Sequence, residues 1–309
     1  MNSKQNKANF QAVFSIILWC FSGICMRKGA VLLKPMIYLG LITGIGVLAA
    51  VFIQFFMKKR ISQLFRLPKK VIIAGFFGVT VYTLFLATAF AIAEPDEIGL
   101  INLLNYLWPM WMVLLEVLLL KKQPGKRLLF LGIFLGFTGL VMASRPDTIF
   151  NVSGNFLPHI LALSGGLFWA FYSVLIRKWD IPKEQSGTAF HFMICALISF
   201  LIALFSGEFS SLPALTGESL FWIMAGGVGP VGIAYYLWEL GIKDGSVSFI
   251  ASLSYFIPIV SSVLIGVIFR ESMHIGLIPG AVSIAAGAYF VQKAMVPGSG
   301  EFNSGEEYS

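Results

Sequence analysis

The sequence predicts an all-α integral membrane protein, ten transmembrane helices arranged as two inverted five-helix repeats. Three observations predict it: composition, an internal duplication and the placement of the basic residues. Of the 309 residues, 57% are hydrophobic and only 12% charged, about half the charged share of a soluble domain. The charges are bunched between long apolar runs. Such runs must be helical, because hydrocarbon offers the backbone no hydrogen-bond partner, and a span needs about 20 residues. A membrane barrel would instead alternate apolar and polar residues in segments of about 10, and these runs are continuous.

Taken in order, the spans run over 10–28, 36–57, 71–93, 98–120, 128–144, 159–178, 188–206, 219–242, 247–269 and 276–295. The first follows Lys4 and Lys7 but lacks a small-residue cleavage site, so it reads as a span and not a signal peptide. The fourth and ninth each carry a proline, Pro109 and Pro258, about 11 and 12 residues in, which is roughly 16 Å deep and near the bilayer midplane.

The duplication is read directly from the chain. Trp19-x-Phe21 followed by Arg27-Lys28 recurs as Trp169-x-Phe171 followed by Arg177-Lys178, an offset of 150. Asn105-Tyr106-Leu107-Trp108-Pro109 recurs as Ser254-Tyr255-Phe256-Ile257-Pro258, an offset of 149. In the fifth and tenth spans Gly132 and Gly139 map onto Gly280 and Gly287 at an offset of 148. These glycines suit close helix packing, within each half or against a second subunit. Two repeats follow, 10–150 and 151–296, between a short N-terminal segment (1–9) and a Gly-, Ser- and Glu-rich tail (297–309) expected to be disordered. Five spans per repeat is an odd number, so the second copy enters from the opposite face, which places a substrate site near the midplane between the halves.

Orientation comes from Lys and Arg. With the N-terminus cytoplasmic, the outside segments hold only Arg27, Lys28, Lys34, Arg145 and Arg270, leaving 17 of the 22 inside. The positive-inside rule therefore predicts a multi-pass inner-membrane protein with both termini cytoplasmic. The net charge of +7 reports that topology and not nucleic-acid binding, for no basic patch interleaves with aromatics on one face. Cys20, Cys25 and Cys195 lie in apolar spans, and His159, His191 and His274 are scattered over three segments near span ends. No metal site, cofactor site or catalytic triad assembles from them. No phosphate-binding Gly-x-x-x-x-Gly-Lys-Ser/Thr loop is present, which excludes direct ATP drive by this chain. A lipid-modifying enzyme would need grouped His, Asp or Ser in the cytoplasmic loops, which are short and basic, and a channel would need a continuous polar lining.

With these motifs in place the chain resembles the drug/metabolite transporter superfamily in its ten-helix, two-repeat EamA form. A Trp in the first helix of each repeat with basic residues at its end, a mid-helix proline in the fourth and a glycine-rich fifth carry the likeness. It extends over about residues 10 to 296. Glu271 matches the family's acidic residue, whereas the equivalent in the first copy is Lys122. Asn105-Tyr106-Leu107-Trp108-Pro109 is similar to the fourth-helix motif of the aromatic amino-acid exporter branch. The resemblance implies a secondary transporter exporting small molecules, with multidrug efflux as the alternative.

Candidate substrate contacts follow from side chains at membrane depth. Each proline frees the carbonyl four residues earlier, on Asn105 and Ser254, both polar. Asn102 shares a helix face with Asn105, and an amide facing lipid would go unsatisfied. Trp19, Tyr82, Tyr106, Trp108, Trp169, Tyr172, Tyr235, Tyr236 and Tyr255 complete an aromatic set with hydroxyl and amide handles, suited to a flat amphipathic ligand. Any single member of that set serves core packing equally well. No Lys or Arg lies deep in a span, which disfavours phosphorylated substrates and leaves neutral or zwitterionic amphiphiles, aromatic amino acids among them, or cationic drugs. Glu116 and Glu239 are candidates for proton coupling, although both lie near cytoplasmic ends, where reaching the interface is easy. Glu94, Asp96 and Glu97 are expected to cap helices in the outside turn, and Tyr38, Trp179 and Trp222 to anchor at the interface. The expected partners are a small-molecule substrate and the lipid bilayer, with the chain acting as a monomer or homodimer.

Overall fold

The computed structural model describes residues 3–94, 97–143, 154–182, 185, 187–270 and 275–295, and every regular element among them is helical. The spans are Ser3–Leu33, Pro35–Phe56, Lys69–Ile92, Leu100–Leu119, Lys126–Ala143, Leu157–Lys178, Thr188–Phe205, Gly217–Asp244 and Val247–Phe269, nine helices long and apolar enough to cross a membrane. A tenth helix, Leu277–Ala294, follows. The first span is longer than expected at both ends, because Lys4, Lys7, Arg27 and Lys28 are good helix formers that carry the helix out of the apolar layer. The tail and residues 271–274, with Glu271 and His274 among them, lie outside the described residues, as do Asp96 and Arg145.

The two repeats share their irregularities. The third span contains a π-helical turn, Phe76–Val81, and the eighth contains one at Gly227–Ile233. Such turns take up one extra residue and often mark functional positions. The eighth has Pro230 inside its turn, where the missing amide and the ring forbid an ordinary helical bond. The fourth span breaks after Asn105 and restarts at Trp108, and the ninth breaks after Ser254 and restarts at Phe256. Pro109 and Pro258 each fall in the first turn of the new helix, where an absent N–H costs nothing. The first and sixth spans differ. The first is interrupted at Cys20 and Phe21, just after Trp19, whereas the sixth runs unbroken through Trp169.

Pairing between the halves is reciprocal. The third span lies on the sixth and seventh, and the eighth lies on the first and second; the fourth meets the sixth as the ninth meets the first. The second and seventh pair with each other, as do the fifth and tenth. This is an inverted repeat about an axis in the membrane plane.

The glycines of the fifth and tenth spans correct one expectation. They join the halves of one chain to each other and do not pack helices within a half. A Cβ on Gly139 would stand 2.6 Å from the Gly280 carbonyl, and one on Gly287 would stand 2.7 Å from the Gly132 carbonyl. Backbones that close leave room only for hydrogen. Ser283 Oγ, donating to the Leu135 carbonyl at 2.8 Å, lies along the same seam.

Two further expectations fail. Tyr38 is wholly buried and donates its hydroxyl to the Trp222 carbonyl at 2.9 Å, so it ties helices together and does not anchor at an interface. Glu97 occupies the N-cap position of the fourth span's first helix but makes no side-chain capping bond. Its carboxylate accepts from the Glu94 N–H at 3.2 Å within the turn and stands 3.9 Å from His159 at the head of the sixth span.

Candidate substrate site

Four tryptophans meet where the halves converge. Trp19, Trp108, Trp169 and Trp238 come from the first, fourth, sixth and eighth spans, and all six of their pairings are in contact. Centroid separations run from 5.0 Å for Trp19 and Trp238 to 6.4 Å for Trp108 with Trp19 or Trp169, mostly edge to face. None is more than 8% exposed. Tyr235 presents its edge to Trp19 and Trp169, Tyr82 stacks on Trp169 at 5.7 Å, and Tyr172 borders the same indole. The middle of the molecule is filled by its own rings.

Two indole nitrogens are fixed by the fold. Trp19 Nε1 donates to the Pro230 carbonyl at 2.9 Å, a group the eighth span's π turn presents inward, and Trp238 Nε1 donates to Ser173 Oγ at 3.1 Å. Beside them Ser15 Oγ donates to the Ala234 carbonyl at 2.7 Å, a second tie between the first and eighth spans.

The break in the fourth span supplies the polar side. Asn105 is 4% exposed, with its amide against the Tyr82 hydroxyl and its Oδ1 without a hydrogen-bond partner. Its main-chain oxygen is covered by Gly166, where a Cβ would come to 2.8 Å. The equivalent position in the second half is self-contained, for Ser254 Oγ donates to the Ile250 carbonyl at 2.8 Å. Asn102 lies one turn away, half-buried, and Tyr106 packs between the central cluster and the fourth-to-tenth-span core.

Not every expected residue reaches this place. Tyr236 points to the second span, its hydroxyl 3.6 Å from Met57 Sδ. Tyr255 packs among Leu100, Leu103, Leu107 and Leu140, with its ring 3.5 Å from a Cβ built on Gly136. Trp238 is a member of the cluster that the sequence pattern did not select. The repeat offers no signal for it, since the position 150 residues earlier is Thr88. Phe192, 4.8 Å from Tyr235, was missed for the same reason.

The acids sit below the rings, toward the face that carries the N-terminus, and the structure corrects their interfacial reading. Glu239 is 2% exposed. It accepts a hydrogen bond from the Tyr172 hydroxyl and one from the Gly187 N–H at 3.0 Å, which anchors the residue capping the seventh span. Lys243, one turn on, donates to the Pro182 and Gln185 carbonyls at 3.1 and 2.8 Å, so the link after the sixth span is clasped by the eighth. Glu116 is 5% exposed, beside Ser248 at the start of the ninth span, and its Oε2 has no hydrogen-bond partner. Neither acid reaches out to the interface. His191 is buried between Gly75 and Tyr172, and its carbonyl accepts from Thr80 Oγ1 at 2.8 Å in the third span's π turn. No group of three metal-ligating side chains occurs among the described residues.

The model of the EamA-like transporter family matches the sequence twice, over residues 6–145 and 156–292. The chain belongs to the EamA-like transporter family. This EamA-like chain is a multi-pass membrane transporter. It is 32% identical over 205 residues, 65% of its own length and 68% of the relative's, to the aromatic amino acid exporter YddG of Ancylobacter novellus. To the aromatic amino acid exporter YddG of Escherichia coli it is 24% identical over 292 residues, covering 92% and 96%. A solved crystal structure superposes with a TM-score of 0.78 at 25% identity, over 94% of this chain and 98% of that one.

Proposed function

We propose that this EamA-like transporter exports aromatic and other neutral amino acids from the cytoplasm by alternating access of its inverted halves. The observation that carries the reading is the ring of four mutually touching indoles beside a buried amide with an unused acceptor, Asn105 Oδ1. Indole faces take a flat side chain, and the acceptor takes an ammonium hydrogen. The likeness to exporters of aromatic amino acids supports the same substrate class. Trp19, Tyr82, Asn102, Asn105, Tyr106, Trp108, Trp169, Tyr172 and Tyr235 are the assigned contacts, with Trp238 added. Because both halves lie in one chain, a single copy holds the complete site. Both termini are placed in the cytoplasm by the distribution of Lys and Arg.

Glu239 is assigned a structural clasp and not a proton carrier, since both its oxygens are engaged by Tyr172 and Gly187. Purified protein in liposomes is expected to move labelled phenylalanine, tyrosine or tryptophan down a gradient. Flux of a planar organic cation with none of any amino acid would replace this substrate class by drug efflux.

A further inference from the structure

Between the third and sixth spans, in the part of the molecule nearer the face that carries the N-terminus, lies a groove of about 310 Å³. Ala74 and Phe77 line one side, Phe168, Phe171 and Leu175 the other, and Tyr172 the remainder. Phe77 and Phe171 are exposed, so the groove opens toward lipid. Its deep end is closed by the third span's π turn, where Gly78 packs directly on Tyr172 and on the Phe168 carbonyl. The same two helices carry cations at the shallow end. Lys70, one turn before Ala74, holds its ammonium 5.2 Å from the ring of Trp179, one turn beyond Leu175. From Trp179 to Phe168 the stripe climbs eleven residues, about 16 Å, which is the depth of one leaflet's hydrocarbon. Lys69 and Arg66 are exposed as well, and residues 57–71 hold six basic side chains and no acid. Asp180, exposed just after Trp179, offsets one of these charges.

We propose that this groove binds one anionic phospholipid of the leaflet on the N-terminal side, its phosphate on Lys69 and Lys70, its glycerol edge against Trp179 and one acyl chain laid along Phe77, Phe168 and Phe171. Each part meets the chemistry it suits. A lysine takes a phosphate as a point charge, a basic segment at the end of a span attracts anionic headgroups, and an indole settles at the level where chain gives way to headgroup. A second groove, of about 350 Å³, shows what the cations add. It lies between the second, seventh and eighth spans toward the opposite face, and its lining among the described residues, Leu41, Phe200 and Leu220 included, carries no charge. Position 220 is the repeat counterpart of Lys70, 150 residues on, and holds leucine. That groove has room for a chain but nothing to select a headgroup. The charged groove also touches the centre, for Tyr172 donates its hydroxyl to Glu239 and borders Trp169 at 6.0 Å. A bound chain braces that ring from the lipid side.

The site requires only that the chain span a membrane, so its test needs no transported substrate. Purified protein in detergent is mixed with equimolar phosphatidylglycerol and phosphatidylcholine of matched chains, and bound lipid is counted by native mass spectrometry. The parent is expected to retain one phosphatidylglycerol on the order of tenfold more often than phosphatidylcholine. Lys69→Gln with Lys70→Gln should bring that ratio close to one. Lys58→Gln with Lys59→Gln removes the same charge at the other end of the basic segment and should change the ratio by less than about twofold, since solvent and salt screen the more distant charges. Ala74→Phe, which fills the groove, should lower retention of both lipids; if it does not fold, the two lysine pairs decide the question. An unchanged ratio in the Lys69 and Lys70 variant, an equal loss in both lysine pairs, or full retention by folded Ala74→Phe overturns the assignment. Displacement of the lipid by millimolar inorganic phosphate would reveal a site for free anions and overturn it equally.

Discussion

The halves of this transporter meet in two ways. Along the fifth and tenth spans they touch backbone to backbone, glycine over carbonyl at 2.6–2.8 Å of a would-be Cβ. In the centre they touch through indole and phenol rings 5–6 Å apart, fixed by a few hydrogen bonds such as Trp19 to Pro230. The seam has no freedom to part without losing its contacts, since only hydrogens separate the chains. Ring contacts can be exchanged for a ligand's ring at small cost, because one flat apolar face replaces another. The difference is expected to separate a pivot from a moving part, with the seam closed through the cycle while the aromatic centre opens and refills.

The sharpest way to break that contrast is to crowd the seam. Gly139→Leu or Gly280→Leu forces a side chain into the opposing backbone, and overpacking of roughly 1–3 kcal/mol or more is expected to abolish monodisperse protein in detergent. A folded, active Gly139→Leu protein would show that the seam opens. Trp169→Ala is expected to lower amino-acid flux in liposomes by about tenfold or more, for it removes the ring touching Trp19, Trp108, Trp238, Tyr82 and Tyr235. A truncation of this kind costs about 3–5 kcal/mol of packing, so Trp169→Phe, retaining part of both, belongs beside it. Next comes the asymmetry of the broken helices. Asn105→Ala should raise KM about tenfold, the worth of a hydrogen bond to a charged group, whereas Ser254→Ala should change it less than about twofold, its hydroxyl being already spent on its own helix. Equal effects would mean that both halves grip the substrate alike. The smallest change in flux is that of Tyr172→Phe. It removes one of the Glu239 hydrogen bonds and leaves a buried carboxylate oxygen short of a partner, and a loss of about 1.5–3 kcal/mol should lower the melting temperature with flux largely kept, because the ring that borders Trp169 stays in place.

Much of this architecture is written in the chain because lipid leaves few options. Apolar runs had to be helices, and Pro109 and Pro258 had to break them, as the restarts at Trp108 and Phe256 show. The π turns were not legible, since one extra residue per turn leaves the apolar pattern of 76–81 unchanged and only the partner surface, Tyr172 against Gly78, selects it. The break at Cys20 and Phe21 was hidden too, for no proline marks it and its repeat counterpart is continuous. Repetition found Trp19 and Trp169 together but was blind to Trp238, which has no aromatic counterpart. Glu239 looked interfacial because its span ends nearby in sequence. Its partners, Tyr172 and Gly187, lie 67 and 52 residues away and are brought to it only by the folded chain.

Four of the seven tryptophans lie within 6.4 Å of one another. Indoles that close exchange excitation, so their shared emission depends on the distances between them. Opening that cluster on either side changes the distances between emitters, and a bound tyrosine or phenylalanine adds none of its own at tryptophan wavelengths. The molecule therefore carries a built-in optical gauge of its own conformational cycle, readable without a label.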